Sequence, residues 1–176
     1  MKVRDLMTSP VHTCRAQESL ARAAQLLWQH DCGVLPVVDR DGKVGAAITD
    51  RDICMGAWSR GQGLDALRVA DSMSKTVVTC RAEDDLGVAA EVMGKHQLHR
   101  LPVVDEQGKP IGLLSLNDMA AVAERDPQVG KQVLRVLGAV CHHREDPAHK
   151  NDRALAPIAA PAPAAATKPL AATART

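Results

Sequence analysis

The sequence predicts a mixed α/β fold (α+β) in which two β-α-β-β-α units pack about a pseudo-twofold axis. One extra helix and a disordered tail follow them. Three observations carry this reading: an internal repeat, a helix-then-strand change of apolar period inside each repeat, and an Ala/Pro-rich end. Shifted by 66, residues 3–52 match 69–118 at 20 of 50 positions without a gap. Chance matching would give about one position in fifteen, so the two stretches are copies of one supersecondary unit. A unit of that size alone would bury only about 60% of its unfolded surface, which is why the copies should share a core.

Each element follows in order. A short β-rich segment comes first, Val11-His12-Thr13 in one copy and Thr76-Val77-Val78-Thr79 in the other. A helix follows, striped by Leu20, Ala23, Ala24 and Leu27, and by Leu86, Ala89, Ala90 and Met93, at the i, i+3, i+4, i+7 spacing. Acidic residues Glu18, Glu83, Asp84 and Asp85 are expected in its first turn. Basic His30, Lys95 and His96 are expected in its last, as the helix dipole favours. Two strands are next, 34–38 with 43–48 and 101–104 with 110–114. Asp39-Arg40-Asp41-Gly42 and Asp105-Glu106-Gln107-Gly108 join them as turns, and so short a connection implies an antiparallel hairpin. A second helix begins at Thr49 or Ser115.

These readings set the boundaries. Residues 1–60 and 69–125 form the two units, with a Gly-rich linker at 61–68. Asp126-Pro127 starts a helix over 126–144, striped by Val129, Val133, Val136, Leu137 and Val140. That stripe must cover either the repeat core or the same helix of a second subunit. Residues 145–176 are Ala, Pro and Thr with scattered charge, a composition that builds no core.

Composition excludes several classes. The 176 residues carry 22 basic and 21 acidic side chains, a net charge of +1, so no global field draws a nucleic acid or a membrane surface. Trp28 and Trp58 are the sole aromatics, too few for a base-stacking platform. No secretory signal or spanning segment is visible. The five cysteines (14, 32, 54, 80 and 141) are odd in number and form no C-x-x-C pair, which reads as reduced thiols in the cytoplasm.

Three motifs recur in both copies. They are D-x-M-[TS] (Asp5 to Thr8, Asp71 to Ser74), L-P-V-V-D (Leu35 to Asp39, Leu101 to Asp105), and a glycine followed by [ST]-x-x-D. The last reads Gly45 then Thr49 to Asp52, and Gly112 then Ser115 to Asp118. In this order and in duplicate, they resemble the CBS domain and its tandem form, the Bateman module. The likeness covers about residues 1–125. The chain looks like stand-alone bacterial CBS-pair proteins. The resemblance implies a non-catalytic regulatory module, often a homodimer, that holds an adenine nucleotide (AMP, ADP, ATP or an S-adenosyl compound) between its repeats.

Two readings compete for Thr49/Asp52 and Ser115/Asp118. A Ser or Thr with a carboxylate three residues on is a capping box, which satisfies orphan N–H groups of a helix. The same geometry suits a nucleotide: the helix start attracts phosphate, while the carboxylate accepts ribose hydroxyls. Phosphate also needs a cation. The resemblance points to His99 and Arg100, just before the second L-P-V strand, and Arg forks to two oxygens where Lys does not. Val77 and Val78 are the expected apolar wall for a base. The first copy has Gly33-Val34 in place of His99-Arg100 and a different glycine spacing, leaving Arg51 as its candidate cation. The second copy is therefore the favoured site.

Weaker patterns remain. Cys14 and Cys80 occupy equivalent positions and read as buried small side chains, with redox sensing as the alternative. Cys141-His142-His143 with His149, and the pair His96/His99, are thin metal candidates. No P-loop, zinc-protease or nucleophile-elbow motif occurs, and no nucleophile has an evident partner base. Set against the nucleotide sensor stand a ligand-free dimerisation scaffold and, behind it, a cysteine-based redox sensor.

Overall fold

The computed structural model describes residues 1–141. The chain runs through β1 (Cys14–Arg15), α1 (Leu20–Gln29), β2 (Val34–Val38), β3 (Val44–Thr49) and α2 (Asp50–Arg60). The second copy repeats this as β4 (Cys80–Arg81), α3 (Leu86–His96), β5 (Arg100–Val104), β6 (Pro110–Ser115) and α4 (Leu116–Ala123). The helix α5 (Pro127–Cys141) follows. The expected α/β architecture is present as two three-stranded sheets, β1-β2-β3 and β4-β5-β6. In each, the first strand runs parallel to the second and the second pairs antiparallel with the third.

Local chemistry explains the hairpins. Asp39 Oδ1 accepts the N–H groups of Asp41 and Lys43, and Asp105 Oδ1 those of Gln107 and Lys109, at 2.8–3.0 Å. Gly42 and Gly108 both turn at φ +80°, which a side chain disfavours. The two hairpins meet where Val44 N–H donates to the Gly108 carbonyl at 3.0 Å. The symmetric bond cannot form, because the residue equivalent to Val44 is Pro110, which has no N–H.

Two local expectations shift. The first strands lie at Cys14–Arg15 and Cys80–Arg81, one or more residues beyond the expected segments, because only there does the chain meet Val37–Val38 and Val103–Val104. The acidic residues expected in the first helical turn precede the helix. Ser19 and Asp85 are the N-caps, while Glu18 and Asp84 accept the backbone N–H of Arg15 and Arg81 and close the turn before it.

The linker is also part of the core. Leu67 is buried with the first copy's cluster, and the Leu67 and Leu64 carbonyls accept the N–H groups of Leu20 and Ala21. The segment after it, 68–74, stays with the first copy: Val69 lies in that core, and Ser74 pairs with Ala47 through its backbone and its hydroxyl. Residues 1–8 do the same for the second copy. Val3 is buried among Leu86, Met93 and Leu101, and Thr8 pairs with Leu113 in both directions. The copies thus exchange their leading segments. Several exchange bonds have counterparts 66 residues on, such as Val3 N–H to the Asp84 carbonyl with Val69 N–H to that of Glu18, and Thr8 N–H to Leu113 with Ser74 N–H to Ala47. The conserved geometry of the exchange is the pseudo-twofold relation.

The D-x-M-[TS] motif acquires a physical meaning here. Asp5 and Asp71 accept the N–H of Lys2 and Arg68 and close a short 3-10 turn, after which Thr8 or Ser74 reaches the opposite sheet. Gly112 allows the close approach, since a Cβ there would stand 2.7 Å from Met7 Sδ and 3.1 Å from the Thr8 carbonyl. Its equivalent is Ala46, while Gly45 faces open space, so the glycine-spacing difference compares two unrelated glycines.

The same junction in the first copy carries a defect. Ser72 Oγ is buried, has no hydrogen-bond partner among the described residues, and faces Gly56. A buried unsatisfied hydroxyl costs about 1–3 kcal/mol, so Ser72→Ala is expected to raise stability by about 1 kcal/mol. An unchanged or lowered urea midpoint would contradict this. The helix α5 settles which surface its stripe covers. Val129, Val133 and Val136 are buried in the second copy's core, whereas Leu137 points outward.

Candidate functional site

Both copies present the same corner. Strand β3 ends at Thr49, directly opposite Val34 at the start of β2, and Thr49 caps α2. Thr49 Oγ1 accepts Asp52 N–H at 3.1 Å, and Asp52 Oδ2 accepts Thr49 N–H at 2.9 Å and the hydroxyl at 2.7 Å. Ser115 and Asp118 repeat the arrangement at 3.1, 2.8 and 2.6 Å. The capping-box reading therefore holds at both sites. It does not use up the carboxylates. Both cap bonds fall on Oδ2, and among the described residues no hydrogen bond reaches Oδ1 of either aspartate.

The second corner gathers several of the expected residues. Arg100 lies directly opposite Ser115 in the β5–β6 register, so their side chains share a face of the hairpin. The His99 carbonyl accepts Leu116 N–H at 2.9 Å, fastening the helix start to the strand start. His99 itself is exposed; Arg100, Ser115 and Asp118 are half-buried. Val78 packs on the second copy's core and Val77 is half-buried beside it. In the first corner Thr49 and Asp52 are half-buried and Arg51 is exposed.

The Arg100 guanidinium spans the junction of the copies. It lies over Gly33, 3.1 Å from where a Cβ would stand, beside the strand start that pairs with Thr49. A side chain at position 33 would displace it, so this glycine is what lets the second copy's cation reach the first corner. Cys32 feels the contact: burial pushes its thiol up, and the Arg100 charge pulls less strongly the other way. The sequence showed Gly33 only as a missing cation; it has meaning only once Arg100 is seen on top of it.

The residue equivalent to Val78 is His12, whose ring stacks on His30 at 3.4 Å between centroids and 11° between planes.

Other expectations resolve differently. Burial pushes the thiols of Cys14 and Cys80 up to about 12, Glu18 and Asp84 adding to the effect. Such thiols hold almost no thiolate at neutral pH, which weighs against redox sensing there. Among the described residues no cluster of three or more His, Cys, Asp or Glu is placed to hold a metal, and His96/His99 gain no further ligand. The Cys141-His142-His143 and His149 reading lies outside the described residues from position 142 on. Among the described residues no helix is long and apolar enough to cross a membrane. A cavity of about 570 Å³ opens elsewhere, between α1 and α2 of the first copy, and none of the expected site residues lines it.

Comparison with known proteins identifies the family. The CBS domain family matches residues 3–56 and 69–125, more than half of the chain. The CBS domain-containing protein YhcV of Bacillus subtilis is 31% identical over 134 residues, spanning 76% of this chain and 94% of its own length. The CBS domain pair of protein MJ0100, solved with 5′-methylthioadenosine and S-adenosyl-L-methionine, superposes with a TM-score of 0.64. It is 26% identical and covers 71% of this chain and 97% of its own. CBSX2, solved with AMP, gives 0.60 at 28% identity, over 70% and 96%. Duplicated corners, exchanged leading segments and two family matches in register with the repeat lead to one conclusion: this chain belongs to the CBS domain family and carries the domain as a tandem pair.

Proposed function

We propose that the protein is a non-catalytic regulatory module, acting as a homodimer, that binds an adenine-containing nucleotide where its two repeats meet. The observation that carries this reading is the Arg100 guanidinium. It crosses from the corner that holds Ser115 to the strand start paired with Thr49, so the second copy's cation reaches toward the first corner. Asp118 Oδ1 and Asp52 Oδ1 accept ribose hydroxyls, Arg100 holds phosphate beside the start of α4, and Val77 and Val78 flank the base. Arg51 and His99 stand at the exposed margin. The MJ0100 pair and CBSX2 support the ligand class, since S-adenosyl compounds and AMP share the adenosine these groups recognise. A ligand touching both repeats favours one relative arrangement of them, which is how binding becomes a signal.

Capping and binding share Asp118, so the test must separate them. Asp118→Asn keeps an oxygen for the cap and replaces the other acceptor with an NH₂ donor. It is expected to weaken AMP or S-adenosyl-L-methionine binding by about 1.5–3 kcal/mol, roughly ten- to a hundredfold, with the melting temperature of the free protein little changed. Calorimetry reads the first and a thermal melt the second. Equal affinity in both proteins would overturn the site. The complete capping boxes favour a second reading, a ligand-free dimerisation scaffold, and it predicts no melting shift with any adenine nucleotide.

A further inference from the structure

The duplication supplies an internal comparison for the cavity on the first copy. Its floor residues Ala24, Leu27, Ile53 and Ala57 correspond, 66 residues on, to Ala90, Met93, Met119 and Ala123. In the second copy that groove is filled by a helix. Val129, Val133 and Val136 of α5 are buried with Ala90, Met93 and Met119, and the Ala139 carbonyl accepts Gln97 Nε2 at 3.0 Å. In the first copy the groove is open, edged by Trp28 at 89% exposure, with Trp58 and Met55 also exposed on α2.

The helix that fills one groove has an unused face that suits the other. Leu134 is 70% exposed, with Leu137 beside it, and Lys131 and Arg135 flank them at i, i+3, i+4 spacing. No acidic residue occurs from Pro127 to Cys141. The groove carries the opposite sign: Asp31 and Asp50 line it, both exposed, and among the described residues no cationic side chain does. We infer that the outward face of α5 from a second copy of this chain docks in the first repeat's groove. Leu134 and Leu137 meet its apolar floor, and Lys131 and Arg135 approach Asp31 and Asp50. Every chain owns both halves of the contact, so a twofold pairing makes it twice and closes the assembly at a dimer. This interface rests on the homodimer reading and is independent of nucleotide binding.

The chain reports on its own groove, because Trp28 and Trp58 are its sole aromatics. The test uses the full chain, sedimentation velocity across a dilution series, and Trp28 emission in the Trp58→Gln background. The expected result is a dimer whose dissociation red-shifts Trp28 in step with the loss of mass. Leu134→Asp, at an exposed position, should raise the dissociation constant roughly thirtyfold or more while circular dichroism shows an unchanged fold. Reversing Lys131 and Arg135 to Glu should weaken the dimer, and adding Asp31→Lys with Asp50→Lys should restore it; no restoration would overturn the charge pairing. A dimer unaffected by Leu134→Asp overturns this interface and leaves the homodimer intact, whereas a wild-type monomer overturns both. Blue Trp28 emission that survives in the monomer, but is lost when the chain ends at residue 141, names this chain's own residues beyond 141 as the occupant and also overturns it.

Discussion

Val3→Asp is expected to open the second repeat, although Val3 belongs by sequence to the first. Its side chain is wholly buried among Leu86, Met93 and Leu101. A carboxylate there has no cationic partner within the cluster, and burying an unpaired charge costs more than about 4 kcal/mol. Hydrogen exchange read by mass spectrometry should show lost protection in α3, β5 and β6, with α1, β2 and β3 protected much longer. Val69→Asp should produce the mirror result, because Val69 completes the first repeat's core. Loss of protection confined to the mutated residue's own repeat would refute the exchanged packing.

Alkaline pH should destabilise the protein through its two buried thiols. Cys14 and Cys80 are each pushed from 9.0 up to about 12 by burial. In the unfolded chain they ionise near 9, whereas in the fold they stay protonated. Their stabilising contribution is therefore complete below pH 9 and is lost as pH climbs toward 12. The slope is about 1.4 kcal/mol per pH unit for each thiol, so the pair accounts for a loss of roughly 4 kcal/mol by about pH 10.5. The chain has no tyrosine to add a phenol titration in this range. Urea midpoints at about pH 8.5 and 10.5 measure the loss, and Cys14→Ala with Cys80→Ala should flatten it. A slope unchanged in the double variant would assign the effect elsewhere.

Several features were legible from residues alone because their chemistry is local. The Asp-x-x-Gly turns and the Thr49 and Ser115 caps depend on neighbours within four positions, and they sit where the pattern places them. The helical stripes were equally readable, since apolar spacing marks the buried face of α1 and α3. Features defined by a distant partner were not. The two-residue strands β1 and β4 exist only because a parallel neighbour meets them, and Glu18 and Asp84 close turns that resemble a first helical turn in sequence. Leu67 looked like a linker residue until its place in the first core was seen.

At the candidate site the same division applies. The sequence marks Ser115, Asp118 and Arg100 one by one. The strand register opposes Arg100 to Ser115, and packing lays the guanidinium over Gly33. By itself, then, the sequence determined the element order, the duplication, the Thr49 and Ser115 caps and the apolar stripes of α1 and α3. Only the tertiary structure decided that each leading segment completes the opposite repeat, and that α5 fills one groove and leaves its twin open. The reason is physical: residue spacing dictates which face of an element avoids water, but two copies of one unit offer related surfaces, and which of them that face meets is decided when the whole chain packs.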